Sequence, residues 1–252
     1  MKKKIYIVVG VVIFIGLVAE AWHWLNQLPE VRLALVDEDK KPIPVTNDWR
    51  VALLETVKLT PKEGIKQGVE AYFERFDLNR ITGEVSPVAE ATLRFNWPLD
   101  LLKPPENAPP SADHLRIKHL PEQLTFWQVK GRKTIIIPVA VMGRYGLAAG
   151  FLAINKPEKT IAGVRFYHSE DSPELGQSVL LPDFGERFIG KHLFDKRNRF
   201  ALKIVQPAAK AGQNNHHDGF TIDGISGATI TSSGIENAFK FWTGKEAYGS
   251  VL

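Results

Sequence analysis

Short apolar stretches follow one another through the middle of the chain, and their lengths are typical of β-strands. The strongest is the nearly continuous run at residues 134–141, and similar stretches occur at residues 126–129, 150–154 and 160–167. Short turns separate them, so the pattern predicts a meander of antiparallel strands. Pro138 lies inside the strongest run and indicates an edge or a bulge there, because proline lacks the N–H group that a ladder needs.

The hydrophobic pattern changes to a helical period near the C-terminus. Apolar residues recur there at i, i+3, i+4 and i+7, which predicts a helix with one buried face. These residues are Ile235, Ala238, Phe239 and Trp242. Ser233 and Glu236 have the spacing of a capping box, so the helix is predicted to begin there, and Thr243 with Gly244 predicts its end.

Weaker patterns predict the remaining elements. Thr60 and Pro61 are typical of an N-cap and a first helical position, which predicts a helix from Pro61 to about Phe76. Three shorter elements are also predicted, namely a helix at 184–188 and strands at 200–205 and 220–222. Together the elements predict an α+β fold in which flanking helices pack on a twisted antiparallel sheet.

The N-terminus has the pattern of a membrane segment. Lys2–Lys4 precedes the apolar residues 5–19, and the apolar character continues to Leu25 if Glu20 lies at the interface. This length approaches the roughly 20 residues needed to span a bilayer, and the lysines favour a cytoplasmic N-terminus. We therefore expect one transmembrane helix in a bacterial inner membrane, with the C-terminal domain in the periplasm. Residues 19–21 read A-E-A, so a cleaved signal peptide is the alternative.

A cluster of prolines divides the part of the chain that follows the predicted anchor into two regions. Five prolines between residues 98 and 110 predict a surface loop or linker. The predicted organisation is an anchor at 1–26, an anchor-proximal helical and extended region at 27–119 with this loop, and a core domain at 120–252.

Composition excludes several classes of protein. The 252 residues are 44% hydrophobic and 24% charged, which is enough apolar content for a buried core. The net charge of +4 is mild and the basic residues are dispersed, so nucleic acid is not an expected partner. The chain has no cysteine, which excludes disulfides, iron–sulfur ligation and cysteine nucleophiles.

The most informative stretch for chemistry is residues 223–234, where small and hydroxyl residues lead into the predicted C-terminal helix. Free N–H groups and the positive end of the helix dipole suit a phosphate there. The spacing matches neither a P-loop nor a dinucleotide fingerprint, so an ordinary turn with a cap is the alternative from the residues alone.

Two other kinds of site are weakly indicated. His216, His217 and Asp218 are adjacent, but neighbouring side chains point apart on an extended chain and no second ligand pair follows, so no metal site is expected. Ser226 and Ser233 lack the G-x-S-x-G elbow of a hydrolase nucleophile.

Residues 223–229 read D-G-I-S-G-A-T, which matches the covalent-flavin motif D-x-x-S/T-G-A-S/T. The chain thereby resembles the FMN-binding domain family, and in particular the C subunit of the sodium-translocating NADH:quinone reductase, with the G subunit of the Rnf complex more distant. Residues 137–153 and 167–176 are similar to further blocks of the C subunit. The chain has G-R-Y-G at 143–146 where the C subunit has G-L-W-S, and D-S-P-E-L-G at 171–176 where the C subunit has E-T-P-G-L-G.

The resemblance implies covalent FMN, esterified through its phosphate to the hydroxyl of Thr229. It also implies a flavin transferase that uses FAD as donor and releases AMP. Further residues are expected around the cofactor: the motif residues Asp223, Ser226, Gly227 and Ala228, then Thr231 at the phosphate, and Arg144, Tyr145, Asp171, Ser172 and Leu175 at the flavin ring.

The function implied by the resemblance is electron transfer. The chain would relay electrons between other membrane subunits of a Na⁺-translocating quinone reductase-type complex, and it would not bind NADH itself, because no nicotinamide fingerprint is present. A stand-alone exported flavoprotein is one alternative, and a ligand-binding module without covalent flavin is another.

Overall fold

The computed structural model describes residues 47–92, 94–173, 176–207 and 218–252, and residues 44–252 form one compact unit. The predicted membrane anchor with its alternative cleavage site lies outside the described residues, as do Leu175 and the histidine pair. Among the helices that are described, none has the length and apolar character needed to cross a membrane.

A six-stranded sheet forms the centre of the fold. Its order is β2-β1-β3-β4-β5-β6, and every neighbouring pair is antiparallel. The strands are β1 (Phe73–Asn79), β2 (Val85–Val88), β3 (Gln123–Val129), β4 (Thr134–Met142), β5 (Leu147–Asn155) and β6 (Thr160–Ser169). The predicted meander of antiparallel strands is therefore confirmed, and the sheet extends further than predicted through β1 and β2.

Pro138 lies where β4 has one free ladder edge, as the sequence indicated. β3 pairs with β4 only at Trp127↔Ile136 and Gln128↔Ile135, so the residues of β4 that follow are paired on the β5 side alone. The missing N–H group of Pro138 therefore leaves no ladder bond unmade. The indole Nε1 of Trp242 donates to the carbonyl oxygen of Ala140 at 2.9 Å, which covers part of this edge.

Four α-helices occur in the described residues: α1 (Trp49–Thr56), α2 (Ile65–Tyr72), α3 (Pro182–Glu186) and α4 (Thr229–Trp242). The prediction of a single helix from Pro61 to Phe76 was wrong at both ends. Residues from Phe73 onward pair with β3 instead, and the helix begins after Gly64. Pro61 packs across this helix, since a Cβ atom on Gly68 would lie 2.4 Å from the Pro61 Cβ.

A second, two-stranded sheet supports the C-terminal helix. It consists of β7 (Lys203–Val205) and β8 (Thr221–Asp223), which are parallel to each other. Both strands were predicted from the sequence, but their separation from the main sheet was not. Helix α4 packs between β7 and β4, and its four predicted inner residues are all fully buried.

The sheet crosses the position at which the sequence divided the chain. β1 and β2 precede residue 119, and β1 pairs along its whole length with β3, which follows that residue. The proline-rich stretch contains two short 3-10 helices, Leu99–Leu102 and Pro110–Leu115, and Leu101 and Leu115 are buried in the common core. The anchor-proximal and core regions stay a prediction as functional divisions, but residues from both build one sheet.

Candidate functional site

Helix α4 begins one turn earlier than its capping pattern predicted. Its first residue is Thr229, and the N-cap is Ala228, whose side chain makes no capping hydrogen bond. The capping-box prediction for Ser233 and Glu236 was therefore wrong. Glu236 instead accepts a hydrogen bond from the backbone N–H of Ile204 in β7 at 2.8 Å.

The loop before α4 is held by contacts from both sides. The Arg187 guanidinium donates to the carbonyl oxygens of Asp223 and Gly224 at 3.2 and 2.7 Å. The Ser232 hydroxyl accepts from the N–H of Ile225 at 3.0 Å. Gly227 has a φ of +75°, a backbone conformation that glycine adopts at little cost. The chain therefore enters α4 through a tight, defined turn.

This geometry exposes Thr229 at a helix N-terminus. Its side chain is solvent-exposed, and its Oγ1 accepts a hydrogen bond from Gln206 Nε2 at 2.7 Å. The N–H groups of residues 229–231 have no acceptor within the helix, because the i−4 carbonyls precede its start. An exposed hydroxyl thus lies beside unpaired donors and the positive end of the helix dipole, an arrangement that favours an anion.

A cleft of about 330 Å³ opens beside this helix start. It is lined by three segments that are distant in sequence, the β4–β5 turn, the loop after β6 and the start of α4. The lining residues are Arg144, Tyr145, Asp171, Ser172, Gly176, Gly227, Ala228, Thr229, Ile230 and Thr231. Eight of the residues singled out from the sequence are therefore brought together in one cleft.

Asp171 connects the segments of the cleft. The residue is 4% exposed, and its Oδ2 accepts from Thr231 Oγ1 at 2.6 Å and from the N–H of Arg144 at 3.2 Å. Oδ1 accepts from the N–H of Ser172 at 2.9 Å. Burial raises the pKa of Asp171, but the bonds from Thr231 and from backbone N–H groups outweigh it and hold the pKa below its usual value.

Two glycines are required around this carboxylate. A Cβ atom on Gly143 would lie 2.3 Å from Asp171 Oδ2, and one on Gly176 would lie 2.1 Å from the same oxygen. Neither position can hold a larger residue without displacing the carboxylate. Both glycines belong to blocks that carry the resemblance, so Asp171 gives a physical reason for glycine there.

The rim of the cleft is apolar and basic. Tyr145 is 63% exposed and Ile230 is 55% exposed, so two large apolar side chains face solvent at the same cleft. The Arg144 guanidinium lies 5.3 Å from the centre of the Tyr145 ring, within the range of a cation–π contact. The rim thus offers flat apolar area together with positive charge.

Three of the predicted site residues lie elsewhere or are not described. Asp223 ends β8 and Ser226 is exposed in the loop, and neither lines the cleft. Leu175 lies outside the described residues. Ile230, Gly176 and Gln206 were not predicted as site residues. Of these, only Gly176 has a signal in the sequence, since it ends the D-S-P-E-L-G block.

Asp218, which follows the two adjacent histidines in the sequence, stabilises a turn. Its carboxylate accepts hydrogen bonds from the Thr221 hydroxyl and from the N–H groups of Phe220 and Thr221. These bonds lower the pKa of Asp218 to about 2.

A second, larger cleft of about 650 Å³ lies beside the C-terminal half of α4. His114 and Lys240 are among its lining residues, and it contains none of the predicted site residues.

The part of the chain that matches a known protein family includes every residue that lines the cleft. Residues 143–244 match the FMN-binding domain family, a range that includes all three segments of the lining. The chain is 32% identical over 147 residues to the C subunit of the Na(+)-translocating NADH-quinone reductase of Yersinia pestis, covering 57% of this chain and 53% of that protein. It is 35% identical over 118 residues to the protein of the same name from Vibrio anguillarum, covering 47% and 44%. The chain thus spans about half the length of the curated relatives it matches.

Solved structures show the same fold. The crystal structure of Shewanella oneidensis NqrC superposes with a TM-score of 0.68 at 25% identity, covering 80% of this chain and 93% of that chain. The C subunit of the Na(+)-translocating NADH-quinone reductase from Parabacteroides distasonis superposes with a TM-score of 0.56 at 23% identity, covering 81% and 90%. The α+β architecture described above is therefore shared with both of these solved structures.

Proposed function

We propose that this chain is a membrane-anchored electron-transfer protein of the NqrC type, with FMN bound to Thr229 through a phosphoester. The observation that carries the proposal is the position of Thr229, an exposed hydroxyl at the first residue of α4 in the lining of a cleft. The match of residues 143–244 to the FMN-binding domain family supports FMN as the cofactor. The names of the relatives support a place in a sodium-translocating NADH:quinone reductase complex.

The residues of the cleft fit a flavin nucleotide. An ester at Thr229 Oγ1 starts beside the unpaired N–H groups of the first turn of α4, which stabilise phosphate charge. The volume of about 330 Å³ falls in the range of small-molecule sites, about 300 to 1,000 Å³. The exposed Tyr145 and Ile230 offer apolar surface for a ring system, and Arg144 adds a positive charge.

Bound FMN supplies one- or two-electron transfer, and the residues of this chain retain it and set its surroundings. A phosphoester to Thr229 prevents dissociation. Asp171 holds Thr231 and the β4–β5 turn, which both line the cleft that would receive the cofactor. Because the sequence has no nicotinamide fingerprint, electrons arrive from one partner protein and leave to another, and the N-terminal segment keeps the domain at the membrane.

The test is covalent labelling of the chain in the presence of its modifying enzyme. Wild type is expressed together with a flavin transferase, denatured, separated on a gel and examined for yellow flavin fluorescence. We expect a labelled band that Thr229→Ala abolishes. Ser233→Ala, which removes an exposed hydroxyl one turn further along α4, serves as the matched control and retains the label.

Two results would contradict the proposal. An unlabelled wild-type chain, in a reaction where a known substrate domain is labelled, rules out the covalent flavoprotein. A band that persists in Thr229→Ala places the attachment at another residue.

A further inference from the structure

Gln206 is the side chain that contacts the attachment hydroxyl, and neither the motif nor the resemblance singled it out. Its Nε2 donates to Thr229 Oγ1 at 2.7 Å. Gln206 lies directly after β7, outside the loop that carries the flavin motif, and it does not line the cleft. The contact therefore reaches the hydroxyl from the side of the second sheet.

The backbone before Gln206 is fixed relative to helix α4. β7 pairs with β8, and the N–H of Gly224 donates to the carbonyl oxygen of Val205 at 2.8 Å. Glu236 of α4 accepts from the N–H of Ile204 at 2.8 Å. These two bonds hold the residues next to Gln206 against the loop that precedes α4 and against α4 itself. The Gln206 amide therefore reaches Thr229 from a backbone segment that is hydrogen-bonded to both.

A threonine in the first turn of a helix has competing hydrogen-bond options. Threonine hydroxyls near helix ends commonly bond to local backbone groups. Such a bond would occupy both the hydroxyl and an N–H group that a phosphate needs. A hydroxyl has one donor and two acceptor lone pairs. When Gln206 donates to one lone pair, the second lone pair and the O–H hydrogen remain available.

We infer that Gln206 is a positioning residue for covalent flavin attachment, holding the Thr229 hydroxyl in the orientation that accepts the phosphoryl group. This inference rests on the proposed function of Thr229. In the reaction, Thr229 Oγ1 forms a bond to the FMN-side phosphorus of FAD, and the phosphoanhydride bond of FAD breaks. AMP leaves, and the hydroxyl proton passes to a base of the flavin transferase. No oxidation or reduction takes place in this step.

The test measures the rate of attachment on purified chain that was expressed without the transferase. Wild type, Gln206→Met, Gln206→Ala and Gln206→Glu, each over a range of chain concentrations, are incubated with flavin transferase, Mg²⁺ and saturating FAD. The initial rate is followed by fluorescence in denaturing gels. Methionine keeps the length of the side chain but removes the donor. Gln67→Met, the same change at an exposed position of α2, is the matched control.

We expect both donor-free Gln206 variants to lower kcat for attachment about 3- to 10-fold, the effect of losing one neutral hydrogen bond. The KM for the chain should not change, and Gln67→Met should behave as wild type. Gln206→Glu should be slower than Gln206→Met, because a carboxylate accepts from the hydroxyl and repels the anionic donor. Because Gln206 is exposed, the urea midpoint of each variant should equal that of wild type.

The remaining outcomes overturn the inference. Wild-type kcat in Gln206→Met, a change confined to KM, or a faster rate in Gln206→Glu would each exclude a positioning role for the amide donor. These results leave the attachment itself intact, since wild type is still labelled and Thr229→Ala is not. If wild type is not labelled at all, the proposed attachment fails and the inference fails with it.

Discussion

At the scale of single residues, Asp171 connects the segments that line the cleft. It is almost completely buried, yet it remains a carboxylate because a hydroxyl and backbone N–H groups donate to it. Its folded pKa is lower than its unfolded value of about 3.9. Its contribution to stability is therefore present above the unfolded pKa and is lost as the pH falls through the folded pKa.

Asp171→Asn should lower the free energy of unfolding by about 1–3 kcal/mol at pH 7, because an amide NH₂ group faces donors that had bonded to a carboxylate oxygen. The difference from wild type should stay constant down to the unfolded pKa of about 3.9 and shrink below it, as the pH falls through the lower folded pKa and the wild-type carboxylate becomes protonated. Urea unfolding at several pH values measures both effects. Asp183→Asn, an exposed aspartate of α3, is the control and should change stability little. A difference that stays constant or grows on acidification below the unfolded pKa would contradict this account.

At the scale of elements, the start of α4 determines the chemistry that Thr229 can support. A helix beginning at Ser233 would leave Thr229 in a loop, whereas the observed start puts it at the first helical position. Glu236, the second residue of the apparent capping box, instead accepts a hydrogen bond from the backbone N–H of Ile204 in β7. The unpaired N–H groups of the first turn consequently lie next to the hydroxyl of the flavin motif.

Gly234→Ala is expected to destabilise the protein although alanine is the better helix former. Helix propensity alone favours alanine by about 1 kcal/mol. A Cβ atom at Gly234 would, however, lie 2.2 Å from the carbonyl oxygen of Met142, so α4 must move away from β4. Overpacking of this kind costs about 1–3 kcal/mol, and we expect a net loss in chemical denaturation. Asn237→Ala, exposed on the same helix, should be neutral or slightly stabilising. A more stable Gly234→Ala variant would show that α4 and β4 are packed less tightly.

At the scale of the whole molecule, the first part of the described chain is integral to the domain that contains the cleft. Trp49 of α1 lies 5.7 Å from Trp127 of β3 between ring centres. The buried Arg165 of β6 bonds to Glu55 of α1 at 2.7 Å and also donates to the carbonyl oxygen of Leu180. Aromatic packing and an ion pair with a buried arginine thus join residues on both sides of position 119.

We therefore expect residues 44–252 to unfold in one cooperative transition. Calorimetry of the chain trimmed to these residues and expressed without a flavin transferase should give a calorimetric enthalpy equal to the van't Hoff enthalpy. Tryptophan fluorescence, which reports from Trp49 and Trp97 as well as from Trp127 and Trp242, should follow the same curve. Two separate transitions would show that the region before residue 120 folds independently.

The sequence by itself determined the features that depend on neighbouring residues. The strands from 123 to 169 were predicted because their apolar runs and turns are local signals, and α4 had a clear buried face. The motif at 223–229 singled out Thr229, and the resemblance associated residues 144–145 and 171–172 with the same cofactor. Those residues do lie in one cleft with Thr229.

The tertiary structure alone decided the features that depend on distant partners. The helical pattern was predicted to reach Phe76, but Phe73–Asn79 forms a strand, because β3 offers a ladder some fifty residues later. Glu236 has the spacing of a capping residue but accepts a hydrogen bond from β7. Asp171 accepts a hydrogen bond from Thr231, which is 60 residues away in the sequence. Periodicity reports which side chains must be buried, whereas the partner of a hydrogen bond depends on which segments the fold brings together. For that reason Gln206, the contact of the Thr229 hydroxyl, could be found only in the folded chain.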